Sequence, residues 1–332
     1  MKTDSDVVEV ARRIGEDVLF PSAMATDAGD AVPVGHLDLL AEAGLYGLAG
    51  PREAGGLEAD LETTCAVIEV LAGACLATTF VWVQHHGLVR SLSAGDAPPR
   101  LREEWLGPLC RGERRAGLAL GGLLARGSPL VAKPAGGGWV LDGTSPWVTG
   151  WGRVDVLQVA ARGPDDTIVW LMVDATERPA LIARRQRLVA VDASATVQLD
   201  FNGLQVGGDR LIRIDPADRA GQVGPAPLRV NGSLALGVTG RCCRMIGPSR
   251  LDEELDARRK ALDEADADGM PAARAAASEL AMRAAAALVV HVGSRSILLD
   301  QHAQRLAREA LFLLVFGSRP GIRAALLERL LG

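Results

Sequence analysis

GGWVLDGTSPWVTGW, residues Gly137–Trp151, is the stretch on which the reading of this chain turns. Trp139-Val140-Leu141 runs into Asp142-Gly143, a dipeptide that tolerates positive φ and closes hairpins. The chain resumes at Thr144 and reaches Trp147-Val148-Thr149. The pattern predicts strand, tight turn, strand. Outward from it, β-branched and alternating runs recur at Val154–Ala161, Thr167–Val173, Leu181–Arg185 and Thr196–Phe201, separated by Gly, Pro and Asp clusters. Short strands at this spacing predict an all-β unit, a small antiparallel barrel or sandwich over residues 114–214.

On both sides the period changes to that of helices. Before the β-unit, Val7–Leu19, Leu37–Ala43, Leu61–Leu76, Thr78–Leu92 and Leu101–Arg111 carry apolar residues at three- and four-residue intervals. After it come Leu228–Ile246, then Ser249–Glu264 with an N-cap signal in Ser249 and Asp252. An Ala-rich helix is predicted from Pro271 to about Val292, followed by Asp300–Val315 and Pro320–Leu331. The expected organisation is an α+β multidomain chain: a helical domain over 1–113, the β-domain over 114–214 and a helical bundle over 215–332. A β-unit set between helical domains makes a cleft where three surfaces meet, a common place for a ligand.

The chain's 332 residues suffice for two or three packed units. A net charge of −5 gives no reason to expect nucleic acid as a partner. The five cysteines, Cys65, Cys75, Cys110, Cys242 and Cys243, form no CxxC pair and are odd in number, so free thiols in a reducing compartment are expected. The N-terminal residues carry no apolar leader core, and no window approaches about 18 uninterrupted apolar residues. A cytoplasmic protein without a membrane partner is the expectation. Adjacent His85 and His86 have no visible third ligand, so no metal is expected.

Several segments together resemble the acyl-CoA dehydrogenase family. Gly137–Trp151 is similar to that family's central β-domain signature, aromatic-x-x-Asn-Gly-x-Lys-x-Trp-Ile-Thr. LLAEAGLYGLAGPREAGGL, Leu39–Leu57, resembles its first-domain segment. REEWLGPLCRGERRAGLAL, Arg102–Leu120, resembles the approach to its β-domain, Leu204–Leu211 the exit, and RLAREA, Arg305–Ala310, the penultimate helix. The segments run in order from about residue 35 to the C-terminus. The resemblance implies the family's fold, FAD as cofactor, and an assembly of like or related subunits. It implies flavin contact by Trp147, Val148 and Thr149, with Leu118, Leu120 and Gly121 beside them.

The departures from the family pattern matter equally. The family's Thr-Glu-Pro-Gly-x-Gly-Ser-Asp is replaced here by Leu120-Gly121-Gly122-Leu123-Leu124-Ala125-Arg126-Gly127-Ser128. Gly121, Gly122 and Gly127 are left to bring backbone N–H groups near a phosphate. The family's Arg-x-x-Phe-Gly is absent near Arg258-Arg259-Lys260, and its Gly-rich loop is shortened to Gly293-Ser294-Arg295. Aligning Gly317-Ser318 with the family's Gly-Thr puts Phe316 where the catalytic Glu stands, and Pro227–Arg229, a second location for it, is not acidic either.

His85 and His86, in TTFVWVQHHGL (Thr78–Leu88), are the candidate proton carriers, with Trp82 one helical turn before them. Packing inside the helix is the competing reading. Arg305 and Arg308 are expected in ion pairs with Glu309, Glu328 or Asp300. The leading expectation is an FAD-dependent oxidoreductase that forms an α,β double bond in an acyl thioester. Two alternatives stand beside it. One is a flavin-dependent monooxygenase on the same fold, acting on another small organic substrate. The other is a degenerate subunit that completes the site of a homologous partner.

Overall fold

The computed structural model of the chain describes residues 4–332 apart from 96, 124–128, 221–223 and 318. Six helices come first: α1 (Asp4–Ile14), α2 (Ala23–Ala28), α3 (Val34–Glu42), α4 (Leu61–Ala74), α5 (Leu76–Ser93) and α6 (Pro99–Cys110). Strands follow: β1 (Ala116–Ala119), β2 (Val131–Ala135), β3 (Gly138–Val148), β4 (Val156–Arg162), β5 (Thr167–Asp174), β6 (Leu181–Arg185), β7 (Val197–Gly207) and β8 (Leu211–Pro216). Helices close the chain: α7 (Ala217–Ala220), α8 (Pro225–Ile246), α9 (Arg250–Glu264), α10 (Met270–Val292), α11 (His302–Val315) and α12 (Pro320–Leu331).

The helix ends follow local chemistry. Asp60 accepts the Thr63 N–H at 2.7 Å and opens α4. Ser249 and Asp252 form the reciprocal capping box that their spacing predicts, opening α9. Cys75, in extended backbone, separates α4 from α5, so two apolar helices follow one another and change direction there.

The sheet runs β6-β7-β3-β2-β4-β5-β8, with β1 beside β4. The helix–sheet–helix architecture is the expected one. The sheet is mixed, however: β1 and β2 both meet β4 in parallel, where antiparallel pairing throughout was expected. The hairpin is also displaced. Gly138–Val148 is one continuous strand, and the turn before it uses Gly136 and Gly137, at φ 56° and 79°. Two consecutive positive φ values suit a two-residue hairpin loop. Asp142-Gly143 instead serves an irregularity within β3, where the Asp142 carboxylate accepts the Gly203 N–H at 2.7 Å. Gly143 sits at a positive φ of 121°, and a Cβ there would also overlap the Pro129 carbonyl, so glycine suits the position on both counts.

The first and last helices share one core, although the whole sheet separates them in sequence. Leu71 and Leu76 pack in it with Leu234, Val238, Leu280 and Leu306. The crossing of α4 and α8 is close because Gly73 and Gly237 face each other; a Cβ on Gly73 would lie 2.6 Å from the Gly237 carbonyl oxygen. A second core, with Leu141, Leu157, Leu171 and Leu199, fills the sheet. A third, with Leu88, Leu92, Leu109, Val156 and Met172, ties α5 and α6 to it. Helix α10 is long and apolar enough by composition to cross a membrane. It packs against α8, α9, α11 and α12 and buries Arg274 and Ser278, as a core helix does.

Candidate functional site

Where α5, the sheet and the C-terminal helices meet, a cavity of about 650 Å³ opens. From α5 it takes Val83, Gln84, Gly87, Arg90 and Ser91. These residues share one stripe of the helix, at roughly three- and four-residue steps. The sheet supplies Leu118 and Leu120 at the end of β1, Gln158 from β4, Trp170 from β5 and Arg213 from β8. Helix α8 adds Leu228, Val230 and Asn231, and the α11–α12 connection adds Phe316, Gly317 and Arg319. Gly87 lets α5 approach the end of β1 closely, since a Cβ would lie 2.7 Å from the tip of the Leu118 side chain.

Phe316 lines this chamber and is held by an aromatic trio. It stacks on Phe312 with centroids 5.4 Å apart and meets Phe80 edge-on at 4.9 Å. Buried Arg274 supports the loop from beneath, donating to Ser278 Oγ at 2.5 Å and to the Phe316 carbonyl at 3.5 Å. Burial without a carboxylate partner among the described residues pulls the Arg274 pKa down to about 10. Among the described residues, the chamber wall carries no carboxylate and no imidazole. Ser318 lies outside the described residues.

Both histidines are buried in α5 but stand outside the chamber lining. The helix turns about 100° per residue, so His85 points almost opposite the chamber stripe. His85 Nδ1 accepts the Ala116 N–H at 3.0 Å, which leaves the proton on Nε2. The Leu109 and Tyr46 backbones lie beside the ring, and Nε2 has no hydrogen-bond partner among the described residues. The Tyr46 ring closes the pocket edge-on at 4.6 Å. His86 packs edge-on against Trp82 at 4.6 Å, with both ring nitrogens unpartnered among the described residues. Burial pushes the His85 pKa down to about 3 and that of His86 well below its ordinary value. Two neutral, enclosed rings are placed for packing. The sequence reading fixed their spacing to Trp82 but not which face of α5 meets the chamber.

Trp147 is 63% exposed, at an unusual φ of 63°. Pro146 and Trp147 form a bulge between the Ser145–Leu199 and Val148–Val197 pairs of β3 and β7. The bulge turns the indole out of the sheet, and the Trp147 N–H donates to Gln186 Oε1 at 3.2 Å. Ser145 Oγ accepts the Gly122 N–H at 3.2 Å, and Pro146 touches Gly121. The Trp147 bulge is therefore stapled to the turn that follows Leu120, a wall of the chamber. Val148 and Thr149 are buried; Thr149 Oγ1 lies 3.4 Å from Thr196 Oγ1, so both support the bulge from within.

This arrangement fits the flat ring of a flavin at exposed Trp147. It leaves no free N–H for a phosphate at Gly122 or Leu123. The Gly122 N–H is committed to Ser145, and the Leu123 N–H to the Leu120 carbonyl. Added Cβ atoms would overlap the Pro146 carbonyl and Leu130. Both glycines permit close packing, and the Gly122 N–H expected to face a phosphate is engaged by Ser145; Gly127 lies outside the described residues. Arg259 is engaged by Glu69 at 3.0 Å and Asp256 at 2.6 Å. Arg305 pairs with Glu309 as anticipated, at 2.5 Å, whereas Arg308 reaches Asp27 across the chain.

The sequence reading missed Arg90, Ser91, Gln158 and Arg213. For the α5 residues, the stripe Gln84, Gly87, Ser91, free of large apolar side chains within an apolar helix, was the available signal.

The acyl-CoA dehydrogenase N-terminal domain matches residues 2–113 of this chain. Benzylmalonyl-CoA dehydrogenase of Aromatoleum aromaticum is 26% identical over 239 residues, 68% of this chain and 62% of that protein. The 3-sulfinopropanoyl-CoA desulfinase of Paraburkholderia xenovorans is 26% identical over 221 residues, 63% of this chain and 55% of that protein. The matched region thus spans little more than half the length of these curated relatives. In fold, the chain is similar to butyryl-CoA dehydrogenase from Megasphaera elsdenii, with a TM-score of 0.86 at 16% identity, covering 99% of this chain and 98% of that one. It is also similar to FMN-bound TdsC from a Paenibacillus species, with a TM-score of 0.81 at 16% identity, covering 97% and 95%. The resemblance to the acyl-CoA dehydrogenases holds in both sequence and fold.

Proposed function

We propose that this chain, which carries the N-terminal domain and the fold of the acyl-CoA dehydrogenases, is an FAD-dependent oxidoreductase acting on an acyl thioester. The observation that carries the reading is the chamber of about 650 Å³ at the three-way junction, with the exposed Trp147 bulge fastened to its Leu120 wall. A flavin bound there would supply the acceptor for hydride from a substrate C–H bond. Trp147 would hold its ring, with Leu118 and Leu120 at the ring's border. Val83, Leu228, Val230 and Phe316 give the chamber an apolar side that excludes water from an acyl chain.

Forming an α,β double bond also releases a proton, and a base within hydrogen-bond reach must take it. Phe316 cannot, and His85 and His86 are enclosed elsewhere. The reading therefore assigns the proton acceptor to a position other than 316, on this chain or on a partner subunit. An assembly of like or related subunits belongs to the same proposal, supported by Val290, Ile297 and Leu299 exposed at the end of α10 and just beyond it.

Anaerobic mixing with an acyl-CoA tests the reaction: loss of flavin absorbance is expected, and an unchanged spectrum across a range of acyl-CoAs would overturn it. The base-free wall also favours a second reading, a flavin-dependent monooxygenase. Its mark would be flavin-dependent oxygen consumption with no anaerobic bleaching.

A further inference from the structure

We propose that the polar end of the chamber is an anion-binding subsite, in which Arg213, Ser91 and Arg90 receive a ligand group bearing negatively charged oxygens, so that this chain's ligand is an acidic one. The inference deepens the functional reading above and rests on the same chamber.

The first ground is charge. Arg90, Arg213 and Arg319 all line the cavity, and among the described residues no acid does. Asp215 pairs with Arg213 at 2.8 Å from outside the lining, and the only charged groups of the described lining itself are guanidinium groups. No carboxylate pairs with Arg90 among the described residues. Arg90 is exposed on the chamber side of α5 and so is open to an incoming anion.

The second ground is preorganisation. The Arg213 guanidinium lies 4.3 Å over the Trp170 ring, which fixes its plane. Its Nε donates to Asp215 Oδ2 at 2.8 Å and its Nη1 to Ser91 Oγ at 3.3 Å. Asp215 holds one edge, and Nη2 takes no hydrogen bond among the described residues. A guanidinium held in this way presents a fork suited to a carboxylate or phosphate.

The third ground is the hydrogen-bond count at Ser91. Its Oγ accepts from Arg213 and, at 2.8 Å, from Gln158 Nε2. With its oxygen so used, the hydroxyl proton is left to donate, and no described residue accepts it. Gln158 is 3% exposed, and its Oε1 is unpartnered among the described residues. The Ser91 hydroxyl and the Arg213 Nη2 are the donors left open, and an acceptor-rich anion completes them; Gln158 Oε1, an acceptor, is matched only by a donor on the same ligand. The other side of the chamber, at Leu228, Val230 and Phe316, is apolar. The ligand class that matches both is an acyl chain joined to an anionic group. That group is either a carboxylate on the acyl tail or a phosphate of its carrier; the chemistry at Arg213 is the same.

Calorimetric titration of the purified protein separates these sources without requiring turnover. The probes are glutaryl-CoA against butyryl-CoA, CoA against 3′-dephospho-CoA, and free glutarate. A preference for glutaryl-CoA of tenfold or more, erased in Arg213→Gln and reduced in Arg90→Gln, would assign the subsite to a tail carboxylate. Equal binding of both acyl-CoAs, weakened tenfold in Arg213→Gln and by loss of the 3′-phosphate, would assign it to the carrier. Glutarate binding that is lost in Arg213→Gln, on protein that holds no flavin and binds no CoA compound, would keep the subsite while defeating the functional reading. Arg213→Lys, which keeps the charge without the fork, covers the case in which Arg213→Gln lowers the melting temperature. Wild-type protein that binds none of the probes, or variants that bind all of them as wild type does, would overturn the proposal.

Discussion

A phenylalanine ring accepts no proton, and Phe316 occupies the wall of the chamber where the family resemblance puts an acid. Phe316→Glu is expected to increase the rate of anaerobic flavin bleaching by an acyl-CoA. The new carboxyl would be raised by burial beside Phe80 and Phe312 and lowered by Arg319 in the same cavity, so the rate should climb with pH. Bleaching of the unmodified protein at a rate that Phe316→Glu leaves unchanged would defeat this. A second prediction concerns His85. Its folded pKa of about 3 lies below the ordinary 6.5, so the unfolded chain binds the extra proton between those values. Stability should be full above pH 6.5 and fall as pH drops toward 3, by up to about 1.4 kcal/mol per pH unit for this one group. His85→Gln should flatten that slope in urea midpoints taken at pH 7 and pH 5; parallel slopes would refute it. At this scale the place of Phe316 on the chamber wall was legible, because it sits in a local motif. Arg213 and Gln158 were not, because their shared partner Ser91 is 122 and 67 residues away.

At the scale of elements, local signals carried well and geometry between elements did not. The α9 capping box, the break between α4 and α5, and the strand runs from β4 to β7 all follow from residues a few positions apart. The hairpin was misplaced because Asp142-Gly143 and Gly136-Gly137 carry the same turn chemistry, and only the pairing of β3 with β7 chooses between them. The Gly73–Gly237 contact was equally invisible, since it needs α4 and α8 side by side. It sets the position of α8, and hence of the chamber's Leu228 and Val230. Gly237→Ala should cost about 1–3 kcal/mol by forcing the helices apart. Gly35→Ala on α3, where nothing lies within 4 Å of the added Cβ, should instead stabilise by about 0.4–1 kcal/mol. Thermal unfolding of the pair reads the contrast, and an equal response at both positions would remove the close-crossing argument.

For the whole molecule, the helix–sheet–helix order was readable from the change in hydrophobic period, and the fold comparison bears it out. What was not readable is that the outer helical segments merge into one core, leaving the chamber at the seam with the sheet. The exposed Val290, Ile297 and Leu299 should lie in a subunit contact. Light scattering of Ile297→Glu/Leu299→Glu should show a smaller particle than wild type; an unchanged mass would argue against that contact. The central claim is that this chain forms a flavin site at Trp147. Titration of the purified chain with FAD, for wild type and Trp147→Ala, measures it most directly. A saturable yellow complex, weakened about fivefold or more in the variant because about 1 kcal/mol of aromatic contact is lost, is the expected result. Colourless wild-type protein that takes up no flavin, or a complex that Trp147→Ala binds as tightly as wild type, would contradict it.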